Sequence, residues 1–122
     1  MTNTTVETHP NVLSTNAVIG DSVVNRTGEN LGKIEELMLD LETGRVAYAV
    51  LSFGGFLGMG EKYHPIPWSA LKYDEREGSY VVPFSRETHE AAPADSIDAL
   101  VAGNAMAYRD RAYDYYHTPH YW

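Results

Sequence analysis

The sequence predicts a mainly β protein: a small barrel of five to six strands, with a short helical turn near residues 68–71 and a C-terminal helix over about residues 95–112. From residue 17 to residue 84, short apolar runs alternate with turn signals every eight to twelve residues, a spacing typical of small barrels and sandwiches. After residue 84 the apolar residues recur at helical spacing instead. We therefore divide the chain into a flexible leader at 1–16, a barrel domain at 17–84, and a linker, helix and aromatic-rich tail at 85–122.

Length and charge bound the classes of function. The 122 residues are 43% hydrophobic and 11% aromatic, which is enough for one core and too little chain for a second full domain. Formal net charge is -8, from 9 Lys and Arg against 17 Asp and Glu. Because an acidic surface repels phosphate backbones and anionic headgroups, we expect neither nucleic-acid binding nor membrane-surface binding. We expect no membrane insertion either, because no apolar run is long enough to span a bilayer.

The chain contains no cysteine, which excludes disulfides, thiolate nucleophiles, zinc fingers and iron–sulfur sites. Its first residues have neither the basic nor the apolar region of a signal peptide, and no run reaches the about 18 apolar residues of a spanning helix. A cytoplasmic protein is the default expectation.

The leader, residues 1–16, is rich in Thr, Asn and Ser, a composition that buries too little apolar area to order a chain. The first strand is predicted at 18–25. Gly28 and Asn30 then favour a tight turn, since these residues accept positive φ most readily.

The second strand is predicted at 32–41, with leucine at every second position near its end. Ile34 falls out of this period unless the pair Glu35 and Glu36 accommodates a bulge, which we predict. Gly44 then closes the next hairpin in the left-handed conformation.

The third strand, predicted from Arg45 to Phe53, has no polar face. Val46, Tyr48 and Val50 share one face, and Ala47, Ala49, Leu51 and Phe53 share the other. A strand that is apolar on both faces is covered on both sides. If the first face fills the barrel, the second must be covered by the C-terminal segment or by a second copy of the chain.

The segment 54–60, reading GGFLGMG, has four glycines but does not match a phosphate-binding loop. Such a loop leads into a helix, whereas Pro65 and Pro67 forbid a helix interior and mark an edge or irregular strand. We interpret the segment as a wide hairpin, in which Phe56, Leu57 and Met59 tuck under the barrel rim or contact a partner.

The remaining elements are a helical turn at 68–71, a polar turn at 74–78 and a last strand at 79–84. A linker at 91–94 precedes the predicted C-terminal helix, for which Asp95 or Ser96 is the N-cap.

Several stretches of the chain together resemble the PRC-barrel family, which includes the cytoplasmic domain of the photosynthetic reaction-centre H subunit and the C-terminal domain of the ribosome-maturation protein RimM. They are GDSVV at 20–24, TGE at 27–29 with LGKI at 31–34, the Gly44 turn, and VLSFGGFLGMG at 50–60 running into IPW at 66–68. The resemblance covers about residues 17–84. It implies a small PRC-type β-barrel, commonly self-associating, that acts as a docking module without recognised catalytic residues, in a family with many bacterial members.

The tail from Tyr113 to Trp122 has the most unusual composition of the chain. His117 and His120 have the spacing of metal ligands on a helix, but Pro119 interrupts it, and two histidines fall short of the usual three or four ligands. We assign no metal site and no cofactor. We expect the aromatic side chains to bury area against the barrel or a neighbouring subunit, with a disordered tail as the alternative.

The sequence pattern contains no recognisable set of catalytic residues. We interpret His64 as a structural residue, and Ser52 lacks the G-x-S-x-G context of a nucleophile. Two classes of function remain: a non-enzymatic docking module that forms a homodimer, or a small-ligand or metal-binding regulator that uses the 54–60 loop and the tail histidines. The candidate interaction residues are Ala47, Ala49, Leu51, Phe53, Phe56, Leu57, Met59, Tyr115, Tyr116 and Trp122.

Overall fold

A computed structural model describes residues 12–53, 62–103 and 105–122, which form a six-stranded sheet with short helices. The sheet order is β4-β3-β2-β1-β6-β5. Strands β1 and β6 pair in parallel and all other neighbours are antiparallel. The strands are β1 Ser22–Asn25, β2 Asn30–Leu39, β3 Val46–Phe53, β4 Lys62–Pro67, β5 Lys72–Asp74 and β6 Ser79–Val82. The mainly β, barrel-like fold predicted from the sequence is confirmed.

The helices are short, and two of them differ from the prediction. Helix α1, Thr15–Val18, begins at Ser14, whose hydroxyl accepts a hydrogen bond from the Asn16 amide, so the predicted first strand is wrong over its first residues. The predicted C-terminal helix is divided in two, because the backbone adopts an extended conformation at Ala102. No helix of the described residues is long and apolar enough to span a membrane. The remaining helices are the 3-10 turn Trp68–Ala70, α2 Arg86–Glu90, α3 Ile97–Val101 and α4 Ala105–Tyr115.

Strands β2 and β3 pair with two irregularities. Ile34 lies opposite Leu51 and Glu36 lies opposite Val50, so Glu35 is the extra residue and the predicted bulge is confirmed. Further along, the register shifts again on the β3 side and leaves Ala47 as the extra residue. This second bulge interrupts the alternation of side chains between the two faces of the sheet at the beginning of β3.

Two cores lie on the two faces of β3. The inner core contains Ala49 and Leu51 of β3, together with residues of the other strands such as Val23, Ile34 and Ile66. The outer core contains Tyr48 and Val50 of β3, Ala47, and Leu100 and Tyr108 of the C-terminal helices. The faces are thus the reverse of the assignment considered from the sequence, and the C-terminal segment of the same chain is the second cover.

Strand β4 lies at the edge of the sheet, as its prolines predict. On the side away from β3, the Tyr63 amide donates to the Asp95 carbonyl and the Asp95 amide donates back to Tyr63, both at 3.0 Å. Pro65 and Pro67 lie at every second position after Tyr63, so their backbone nitrogens point to the same edge as the Tyr63 amide. Proline has no N–H, so neither residue offers a hydrogen-bond donor at that edge. The edge therefore offers little template for a further strand.

Candidate functional site

Hydrogen bonds from tyrosine hydroxyls hold the C-terminal segment against β3. The Tyr48 hydroxyl donates to the Leu100 carbonyl at 2.7 Å, and the Tyr113 hydroxyl donates to the Ala47 carbonyl at 2.7 Å. The Tyr108 hydroxyl donates to the Asp95 carboxylate. Burial raises the pKa of Tyr48 and of Tyr113 to about 12, so both remain protonated donors at neutral pH. The first two bonds join the barrel to the tail, and the third joins two parts of the C-terminal segment.

Asp40, in the turn after β2, is the polar centre of this contact. Its carboxylate accepts hydrogen bonds from the Tyr121 hydroxyl at 2.7 Å and from the Glu42 amide at 2.9 Å. The Arg109 guanidinium lies 3.6 Å from the same carboxylate and 3.6 Å from the ring centroid of Trp122. The Tyr121 hydrogen bond, with the backbone amides and the Arg109 charge, holds the pKa of the Asp40 carboxyl below its usual range.

The other tail aromatics also contact the chain itself. The Tyr115 hydroxyl donates to the Thr88 carbonyl at 2.7 Å, and the Tyr116 ring stacks on Phe84 at 4.3 Å between centroids. Trp122 remains 43% exposed. Of the three tail residues proposed for interaction, only Trp122 therefore presents a large surface.

Three of the other predicted interaction residues lie away from the surface. Ala49 and Leu51 are fully buried in the inner core, and Ala47 is 5% exposed. Ala49 and Leu51 are therefore unavailable to a partner, because their own chain covers them. The backbone of Phe53 pairs with Lys62. Phe56, Leu57 and Met59 lie outside the described residues.

An open apolar cleft of about 380 Å³ lies between the end of β2, the turn that follows it and helix α4. Three large aliphatic side chains line it while strongly exposed: Leu39 at 57%, Leu41 at 87% and Met106 at 67%. Ala47 and Tyr48 also line the cleft. Apolar side chains concentrated around one concavity are characteristic of an interaction site.

The polar floor of the cleft is the Asp40–Arg109 pair described above. Arg109 also pairs with Asp110 at 3.1 Å, and its side chain is 9% exposed. Sequence reasoning missed Arg109 and the three exposed aliphatic residues. The available signal was Leu41, a leucine next to the turn residues Glu42 and Thr43, where an aliphatic side chain is expected to be exposed.

The tail histidines do not form a metal site with their neighbours. His120 donates from Nε2 to the Asp114 carboxylate at 3.1 Å and stacks on Trp122 at 4.0 Å between ring centroids. His117 has φ of 53° and lies in the turn after α4. Within 12–53, 62–103 and 105–122, no group of three or more His, Asp or Glu side chains is arranged to hold a metal ion.

A second histidine pair lies inside the chain. The rings of His64 and His89 are 4.4 Å apart between centroids, and both residues are buried. The His64 Nδ1–H donates to the Pro93 carbonyl at 3.1 Å. Burial, followed by the charges of His64 and Arg86, lowers the pKa of His89 to about 3, and burial also lowers the pKa of His64. Both rings are therefore neutral at physiological pH, which suits packing rather than proton transfer near pH 7.

Comparison with known proteins identifies the family of this chain. No curated protein matches the chain. A family model described as PRC-barrel domain matches residues 10–89, which is more than half of the chain and includes all six strands. This is a non-catalytic domain family. The chain belongs to the PRC-barrel domain family.

Proposed function

We propose that this chain is a non-catalytic docking module that self-associates, and that the cleft between the turn after β2 and helix α4 is its docking surface. The single observation that carries the proposal is the exposure of Leu39, Leu41 and Met106 around one concavity. Exposed aliphatic groups rimming a concavity give a partner both apolar area and a defined shape.

The cleft suits a symmetric pairing of two copies. Leu41 projects at 87% exposure beside the hollow, so one surface patch contains both a protruding group and a space to receive it. A two-fold axis through such a patch places each Leu41 in the cleft of the other copy. The surface is then self-complementary.

The expected dimer is weak. Burying the exposed parts of these three side chains in both copies contributes on the order of 10 kcal/mol, at about 1.5–3 kcal/mol for each fully buried side chain. Association itself costs at least about 4 kcal/mol. We expect a dissociation constant of about 10–100 μM. Each copy carries a net charge of -8, so added salt should strengthen the dimer by screening the repulsion between copies.

Sedimentation velocity between about 5 and 500 μM protein tests this proposal. The wild type should shift from monomer to dimer across that range, and Leu41→Asp should remain monomeric, because a carboxylate would be buried in the cleft of the other copy. Ile19→Asp is the matched control, since Ile19 is an exposed aliphatic residue, 37% exposed, that does not line the cleft. A wild type that stays monomeric at 500 μM, or a Leu41→Asp variant that dimerises as well as Ile19→Asp, would contradict the proposal.

A further inference from the structure

A separate concave site of about 560 Å³ lies between the start of β3, the 3-10 turn and the tail. Its principal lining residues are Arg45, Trp68, Tyr113 and Tyr121. We propose that this pocket, called here the aromatic pocket, binds a flat aromatic anion such as an aromatic carboxylate. The proposal does not depend on the cleft or on self-association.

Of the two tyrosines, Tyr121 is half-buried and offers ring surface to the aromatic pocket, whereas Tyr113 is 3% exposed and packs against the Tyr121 ring at 5.9 Å between centroids. The Tyr113 hydroxyl is engaged by the Ala47 carbonyl and the Tyr121 hydroxyl by the Asp40 carboxylate, each at 2.7 Å. These bonds hold both rings in place. Flat aromatic ligands stack favourably on such faces, and walls that are already fixed lose little entropy on binding.

Trp68 supplies the third aromatic side chain of the pocket. It is half-buried, and its ring packs against Tyr80 at 5.8 Å between centroids and an angle of 55°. Its position in the 3-10 turn follows directly from strand β4, which holds the turn at the sheet edge. Three aromatic side chains from three different elements therefore converge on one space.

The charge of the pocket selects an anion. Among the residues that the structure describes, Arg45 is its only charged lining residue, in a chain whose net charge is -8. The Arg45 guanidinium lies 5.1 Å from the Tyr121 ring centroid. Within the described ranges, it forms no ion pair with a carboxylate. An anionic substituent on a stacked ring would reach an exposed guanidinium, whereas a cationic ligand would be repelled by it.

The two tryptophans of the chain allow a direct test by ¹H–¹⁵N correlation spectroscopy. Trp68 lines the aromatic pocket, so its indole N–H signal, assigned by comparison with Trp122→Phe, reports binding at this site. Titration with 2-naphthoate should shift the Trp68 signal saturably. Cyclohexanecarboxylate, which lacks an aromatic ring, and a naphthyl trimethylammonium cation, which has the opposite charge, should bind markedly more weakly.

Arg45→Ala should weaken 2-naphthoate binding about fivefold, the size expected for loss of one exposed ion pair, and Arg45→Lys should recover part of it. Arg26→Ala is the matched control, because Arg26 is also an exposed arginine in a turn beside a strand. The proposal is overturned if the Trp68 signal does not shift saturably, if the cationic ligand binds as well, or if Arg45→Ala binds like Arg26→Ala.

Discussion

Acidification from pH 7 to pH 5 should destabilise this protein through His89. The side chain is completely buried, and its pKa in the folded state is lowered to about 3, first by burial and then by the charges of His64 and Arg86. An unfolded histidine titrates near pH 6.5. Because the unfolded chain takes up a proton that the folded chain excludes, stability falls as pH decreases below about 6.5 and continues to fall towards pH 3.

The linkage relation gives a loss of about 2 kcal/mol in the free energy of unfolding between pH 7 and pH 5 for His89 alone. His64, whose pKa is also lowered, acts in the same direction. Carboxyl groups with lowered pKa, such as Asp40 and Asp95, weaken the fold only at more acidic pH, as they become protonated. The interval from pH 7 to pH 5 therefore isolates the histidines.

Urea unfolding at pH 7, 6 and 5, followed by circular dichroism, measures this loss. His89→Leu should reduce the pH dependence by about 2 kcal/mol over that interval, whatever its effect on stability at pH 7. The control is His117→Asn, at an exposed position whose φ of 53° asparagine accepts. Full retention of the wild-type pH dependence in His89→Leu would refute the reasoning.

Two further pairs of variants test the packing and the turns by urea unfolding at pH 7. Leu100→Ala should cost about 2–5 kcal/mol, because Leu100 is fully buried in the outer core, whereas Val101→Ala, 41% exposed, should cost under about 1 kcal/mol; equal costs would show that the tail does not cover β3. Gly44→Ala should cost about 1 kcal/mol because φ is +75° there, while Gly103→Ala, without positive φ, should be neutral or slightly stabilising; a neutral Gly44→Ala would contradict the turn geometry.

The elements with a local signal could be predicted from the sequence. The bulge at Glu35 follows from the position of Ile34 out of period, and the edge position of β4 follows from its two prolines. The break between α3 and α4 falls beside Gly103, which disfavours helix. These features depend on the residues at the site and little on the rest of the fold.

The inner face of β3 could not be identified from the sequence, because both faces are apolar. The structure turns Tyr48 outward, where its hydroxyl reaches the Leu100 carbonyl, and keeps Ala49 and Leu51 in the barrel, where no hydroxyl needs an acceptor. The choice therefore depends on an acceptor more than 50 residues away. The cleft has the same origin, since its two walls come from distant parts of the chain and only Leu41 carries a local signal.

The bond between Asp40 and Tyr121 spans 81 residues of chain, and this has a consequence for synthesis on the ribosome. At about 5–20 residues per second, roughly 4–16 seconds separate the incorporation of these two residues. Leu100, which covers Tyr48 and Val50, is incorporated 52 residues after Tyr48, so for much of that time the nascent β3 has no cover. The nascent hairpin of β2 and β3 is thus an expected client of chaperones that bind emerging apolar segments, until the tail is released and folds back.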